Sequence, residues 1–288
     1  MMNQVIRWWQ HLPEQIDPVF LKLGSLEIRY YGLMWVLAIL TAYLLTHYRL
    51  RHDSPSFTRN QIDHAFSWMI LGAILGGRLG YVLFYDFGYY LRHPLEIFLP
   101  LRTDGGLQFA GIAGLSYHGG LIGVTAGLFY SCRKLKLNFW KFSGFLIPQI
   151  PAGYTFGRLG NFLNGELWGR ATSIPWGMYF PNDMLHQLRH PSQLYEAFFE
   201  GVFLFVVFWS FRNKPLIKEK GLPFYLIGYG IVRFFIEFFR EPDIHLGFVT
   251  GFLTMGQLLC LGMIIIGIIF VLMLGNLKPG KAAKKNRI

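Results

Sequence analysis

The chain of 288 residues is 53% hydrophobic and only 15% charged, with a mean hydropathy of +0.35, which excludes an ordinary water-soluble globule and makes lipid the expected solvent. Its net charge of +11 would suit nucleic acid, but the basic residues stand in short loops and a tail beside apolar runs. Membrane topology accounts for them, and no nucleic-acid partner is expected.

Residues 1 to 31 have neither the basic start, the short apolar core nor the small-residue cleavage site of a signal peptide, so they read as an extracytoplasmic or interfacial part of the mature protein. Within them, Val19 to Leu23 and Leu26 to Tyr30 alternate around Gly24-Ser25, and a two-residue hairpin would set Lys22 opposite Glu27. Seven apolar stretches follow, at 32 to 48, 64 to 85, 114 to 131, 143 to 163, 193 to 211, 221 to 239 and 252 to 274. Each approaches the roughly 20 residues that cross a ~30 Å hydrocarbon core as a helix. The expectation is an all-α integral membrane protein with one seven-span domain over 32–274. It carries a periplasmic-side arm and loop region, with an outer loop at 164–192, and a basic cytoplasmic tail at 275–288.

Gly72, Gly76 and Gly80, then Gly153 and Gly157, recur every four residues, which lets membrane helices pack closely. Pro148 and Pro151 each delete a backbone donor and must interrupt or kink the fourth span. Cys132 and Cys260 have no metal-ligand spacing and no CxxC partner, and read as buried filler.

Lys and Arg set the orientation. Segments 49 to 62, 132 to 142, 212 to 220 and 275 to 288 hold 16 of them, whereas 1 to 31, 86 to 113, 164 to 192 and 240 to 251 hold 8. The two groups alternate along the chain, so the positive-inside rule predicts the N-terminus outside, the C-terminus in the cytoplasm and an odd number of spans. Arg78, Arg158 and Arg233 fall inside predicted spans, where a charge costs roughly 2.5–3.5 kcal/mol on insertion scales.

With that topology Tyr31, His118, Tyr195 and Glu196 begin inward-running helices, and Arg158, Asn161, Arg233 and Glu237 end outward-running ones. All fall in the outer half, beneath the loop that holds Glu166, Gly169 and Arg170. Tyr229, Arg233 and Glu237 are spaced i, i+4, i+8 on one helix face, with Arg233 and Glu237 able to pair. That pair alone also reads, less favourably, as a structural lock. Arg158 and Asn161 add a second cation and an amide at the same depth. Two arginines facing one pocket repel unless an anion lies between them, and guanidinium forks suit phosphate; a phospholipid headgroup is the expected anion. A transporter or flippase for an anionic lipid is the rival reading, since Gly77-Arg78-Leu79-Gly80 and Gly157-Arg158-Leu159-Gly160 form a weak repeat. It would need polar residues reachable from both leaflets.

The run Gly157-Arg158-Leu159-Gly160-Asn161-Phe162-Leu163-Asn164-Gly165-Glu166-Leu167-Trp168-Gly169-Arg170 resembles the signature of prolipoprotein diacylglyceryl transferases. So, in order, do Tyr30-Tyr31-Gly32-Leu33-Met34, Gly76-Gly77-Arg78-Leu79-Gly80-Tyr81, His118-Gly119-Gly120-Leu121, Arg189 to Glu196, and Gly228-Tyr229-Gly230 through Arg233 to Arg240. One departure stands out: Asp104-Gly105-Gly106 is separated from Tyr117-His118 by an extra stretch around Gln108 to Leu115, longer than the family's spacing.

The resemblance implies a bacterial inner-membrane transferase, active toward the outer leaflet, that moves the diacylglyceryl group of phosphatidylglycerol to the lipobox cysteine of a preprolipoprotein. A thioether forms and glycerol phosphate leaves. Such a reaction needs help for the thiol and cations for the leaving group. His118, Arg158, Arg233, Tyr31 and Asn161 are then the catalytic candidates, with Arg158, Arg233, Glu166, Gly169, Tyr229 and Glu237 around phosphatidylglycerol. An ordinary imidazole titrates near 6.5 and an ordinary thiol near 8.5, which suits His118 as base. Glu166 and Glu237 are expected to orient arginines, and Gly169 to serve close backbone approach or a positive φ. No metal or cofactor is expected.

Overall fold

The computed structural model describes residues 2–24, 26–53, 55–98, 101–102, 108–109, 114–242, 249 and 251–276. Asp104-Gly105-Gly106 and the tail from 277 lie outside the described residues. The chain divides into two compact units, Met1–Thr46 with Ser143–Ile288, and His47–Phe142.

In the first unit, α1 (Met2–Gln10) is tied to the loop over 164–192: Trp9 Nε1 donates to the Trp176 carbonyl (3.0 Å) and Gln10 Nε2 to that of Pro175 (3.1 Å). Strands β1 (Val19–Leu23) and β2 (Leu26–Arg29) pair antiparallel with Lys22 opposite Glu27, as the alternation predicts. Gly24 takes φ +61° in the turn, a conformation open to glycine at little cost. Tyr30 is not in the strand but opens α2 (Tyr30–His52), where the apolar run begins.

The fourth apolar stretch is broken at its prolines. Helix α6 (Phe139–Leu146) ends in a 3-10 turn, Ile147–Gln149, before α7 (Ile150–Leu163). Gln149 in this turn is fully buried, and its Nε2 donates to Thr46 Oγ1 and to the Phe145 carbonyl, both at 3.0 Å. The fifth stretch is composite: α8 (Ser192–Glu196), a π-helical segment Ala197–Phe203, and α9 (Leu204–Ser210). Helix α10 (Pro215–Ile236) departs from helical geometry at Lys220, and α11 (Met255–Asn276) lies along it.

The second unit consists mainly of α3 (Arg59–Tyr85), the short α4 (Phe87–Arg92) and α5 (Tyr117–Lys134), with a two-residue pairing of β3 (Leu101–Arg102) and β4 (Gln108–Phe109). Gly72, Gly76 and Gly80 of α3 meet Gly119 and Gly123 of α5 backbone to backbone. A Cβ at Gly80 would come within 2.8 Å of the Gly119 Cα, so the glycine spacing serves close packing.

Among the described residues, four helices are long and apolar enough to cross a membrane: Tyr30–His52, Arg59–Tyr85, Ser192–Ser210 and Met255–Gly275. The last has a mean hydropathy of 3.0 with only 11% of its window buried. So much outward apolar surface requires lipid around it.

Candidate functional site

Three helices of the first unit bring their ionisable residues into contact. On α7 the i, i+3 and i, i+4 spacings align Tyr154, Arg158 and Asn161: Arg158 Nε donates to Tyr154 Oη (2.6 Å) and Nη1 to Asn161 Oδ1 (3.4 Å). On α10 the predicted pair forms, with Arg233 Nη2 2.9 Å from Glu237 Oε2. Thr254 Oγ1 donates to the other carboxylate oxygen of Glu237 (3.1 Å), and a Cβ at Gly256 would strike that carboxylate.

The two arginines are joined by Glu196. Its Oε2 lies 2.8 Å from Arg158 Nε and its Oε1 lies 3.1 Å from Arg233 Nη1, and its side chain is 1% exposed. The anion between the arginines is therefore the protein's own carboxylate, where the sequence reading placed a lipid headgroup. A carboxylate fixed on the adjoining helix needs no diffusing partner to neutralise charges that apolar surroundings make expensive. Glu200 completes the ring: its Oε1 accepts from Arg233 Nη1 (3.4 Å) and its Oε2 accepts from the Tyr154 hydroxyl. Tyr229 Oη lies 3.3 Å from Tyr154 Oη. Among the described residues, Arg158 Nη2 and Arg233 Nε meet no partner in this ring.

The signature run supplies the wall above. Helix α7 ends near Asn164, and Gly165 (φ +63°) and Leu167 (φ +60°) turn the chain back. Glu166 Oε1 accepts from Asn161 Nδ2 (2.8 Å), so Glu166 meets an amide, not the arginine expected of it. Gln193 Nε2 donates to the Glu166 carbonyl (2.6 Å) and Ser192 Oγ to that of Leu167 (3.0 Å), tying the turn to α8. Gly169 donates to the His190 carbonyl (2.8 Å), and a Cβ there would collide with the Phe239 carbonyl and His190. Of the two expectations for Gly169, the close backbone approach is the one found. Tyr31 packs its ring on Gly160 of α7, one residue before Asn161.

The loop over 164–192 has its own lock. Asp183 accepts from Arg189 Nε (2.7 Å) and Nη2 (3.0 Å), and from the backbone of Leu185 and Gln187 (both 3.2 Å). The Arg189 bonds hold the Asp183 carboxyl below its usual range. Burial lowers the His190 imidazole in turn, where it shares a 3.2 Å contact with Tyr195 Oη.

His118 and Arg78 belong to the second unit. His118 stands exposed in the first turn of α5 against the Tyr117 ring, and Ser116 caps that helix from the Gly119 amide. Arg78 serves its own unit: it donates to the carbonyls of Ile97 (2.7 Å), Glu96 (2.6 Å) and Gly114 (3.3 Å).

A family model described as prolipoprotein diacylglyceryl transferase matches residues 18–273. The chain belongs to this family. It is 49% identical to the phosphatidylglycerol–prolipoprotein diacylglyceryl transferase of Chlorobaculum tepidum, over 91% of both chains. It is 47% identical to the protein of that name from Bordetella avium, over 90% of this chain and 95% of the relative. For the one from Campylobacter lari the identity is 40%, over 95% and 99%. In this diacylglyceryl transferase, Tyr154, Glu196 and Glu200 join the arginines singled out from the sequence. Tyr154 and Glu200 went unnoticed there, although Glu200, an acid inside an apolar run, carries the same signal as Arg158 and Arg233.

Proposed function

We propose that the chain transfers the diacylglyceryl group of phosphatidylglycerol to the lipobox cysteine of a preprolipoprotein in the bacterial inner membrane. The thiol sulfur attacks the glycerol carbon that bears the phosphate, a C–S bond forms as the C–O bond breaks, and the electron pair leaves on glycerol phosphate. The thiol proton passes to a base. Arg158 and Arg233 engage the leaving phosphate with the N–H groups that the carboxylates leave open. Asn161 and Tyr31 hold its oxygens or the glycerol, and Tyr229, Glu166, Gly169 and Glu237 shape the lipid site. His118 is the base for the thiol.

The observation that carries this reading is the buried ring in which Glu196 spans Arg158 and Arg233. It lies within a chain matched over nine-tenths of its length by relatives that bear the name of this transferase. Two guanidiniums held in place by carboxylates are already oriented before the phosphate develops charge. The topology that goes with it has seven spans, the N-terminus outside, the C-terminus in the cytoplasm and the site toward the outer leaflet. The 16 to 8 split of basic residues between alternate segments supports it.

Purified protein incubated with phosphatidylglycerol and a lipobox peptide tests the reaction. The expected result is a diacylglyceryl adduct on the peptide cysteine by mass spectrometry. A protein that moves lipid and leaves the peptide unchanged would be a transporter.

A further inference from the structure

We propose that Glu200 is a positioning residue for this site: through the Tyr154 hydroxyl and directly through Arg233 it sets how both guanidinium groups stand. The inference deepens the transfer reading and rests on it. Glu200 is fully buried and reaches both arms of the ring. Its Oε2 takes the proton of the Tyr154 hydroxyl, which leaves that oxygen free to accept from Arg158 Nε at 2.6 Å. Its Oε1 accepts from Arg233 Nη1 at 3.4 Å. Glu196 binds the same two arginines, so each guanidinium is held from two sides.

The backbone is built to deliver Glu200 there. Ala197–Phe203 is π-helical, a rare, wide-turned geometry found mostly in single turns and often at functional sites. It comes close to α7 at Gly201, where a Cβ would collide with Thr155 Oγ1, itself bonded to the Pro151 carbonyl at 3.2 Å. Gly201 and Thr155 adjoin Glu200 and Tyr154 in sequence, so the small residue fixes the separation of the acid and the phenol. Any side chain at 201 would push them apart.

The chemistry of the amide makes the claim testable. In Glu200→Gln, if Oε1 stays on Arg233, Nε2 faces a phenol oxygen already taken by Arg158 Nε. Two donors then meet at one hydroxyl, whose own proton must turn to Tyr229 Oη. The guanidinium of Arg158 is displaced, and misplacing a catalytic group by about 1 Å can cost ~10²-fold.

The experiment measures kcat and the separate KM values for phosphatidylglycerol and lipobox peptide, together with thermal unfolding in detergent. Glu200→Gln and Tyr154→Phe should each lower kcat by about tenfold or more and raise the KM for lipid, while the KM for peptide stays within twofold. The double variant should be no worse than the poorer single, because both act along one route. Wild-type kcat and lipid KM in Glu200→Gln, or losses that multiply, would overturn the proposal, as would a lowered melting temperature with unchanged kinetics. If Glu200→Gln does not fold, Glu200→Asp takes its place: it keeps the charge, withdraws it by one methylene, and should show the same split between the two KM values. If wild-type protein yields no adduct, the transfer reading fails on its own. Phosphatidylglycerol binding in nanodiscs then decides the positioning claim, a roughly tenfold weaker affinity in Glu200→Gln supporting it and an equal affinity overturning it.

Discussion

Glu196 Oε2 lies 2.8 Å from Arg158 Nε, so the arginine of α7 is matched by a carboxylate from the neighbouring helix. The same carboxylate reaches Arg233 on α10 with its other oxygen. Three helices are thereby joined at one point, and the orientation of both guanidiniums is set.

Removing that carboxylate should be costly. Breaking a buried ion pair from one side typically costs about 3–5 kcal/mol, so Glu196→Gln should lower the melting temperature in detergent and abolish most transfer. Glu241, which pairs with Arg189 at 3.2 Å but is 45% exposed, provides the comparison: Glu241→Gln should cost about 1 kcal/mol or less. Equal melting temperatures for wild type and Glu196→Gln would show that Glu196 is dispensable to the ring.

Lysine should not replace either arginine. A point charge reproduces neither the Nε contact that Arg158 makes with Tyr154 and Glu196 nor the Nη1 and Nη2 fork of Arg233. Turnover in Arg158→Lys and Arg233→Lys is expected to fall by at least about tenfold, the loss of roughly one charge-assisted hydrogen bond. Near-normal kcat in both variants would remove the phosphate-clamp assignment.

Much of this is legible in the sequence. An arginine in an apolar run cannot be neutral filler, so Arg158 and Arg233 declared themselves, and the i, i+4 spacing gave Arg233 its partner Glu237. The hairpin followed from alternation, and the break at Pro148 from its missing donor. Tyr154 was not legible, because an aromatic residue in an apolar helix looks the same whether it packs or bonds. The π-helical turn left no trace in periodicity either. Within it Gly201 meets Thr155, a contact between helices that the pattern along the sequence does not encode. The family resemblance puts Glu166 beside an arginine, whereas it accepts from Asn161 after the turn at Gly165.

His118 is tested by substitution. A base must be able to accept the thiol proton, so His118→Gln should lose most activity while still binding phosphatidylglycerol. Unaltered transfer in the Gln variant would place the base elsewhere.

The Asp183–Arg189 lock predicts an acid-sensitive loop. Because the folded-state carboxyl is held below its usual value, its contribution is fully present above the unfolded pKa of about 3.9 and is lost as pH falls through the lower folded value. Protection of the Met178 and Arg189 amides against exchange, relative to the unfolded chain at the same pH, should be high at neutral pH and drop below about pH 4, since their backbones bond reciprocally at 2.8 and 2.9 Å. Asp183→Asn should show little protection throughout; high, pH-independent protection in that variant would contradict the lock.

The central claim is that this site displaces glycerol phosphate with a thiol, and the linkage formed tests it most directly. Peptide recovered after incubation with phosphatidylglycerol should carry the diacylglyceryl group on its cysteine, resist hydroxylamine as a thioether does, and appear one-for-one with free glycerol phosphate. An adduct that hydroxylamine removes would be an acyl thioester, and with no glycerol phosphate released it would contradict the account.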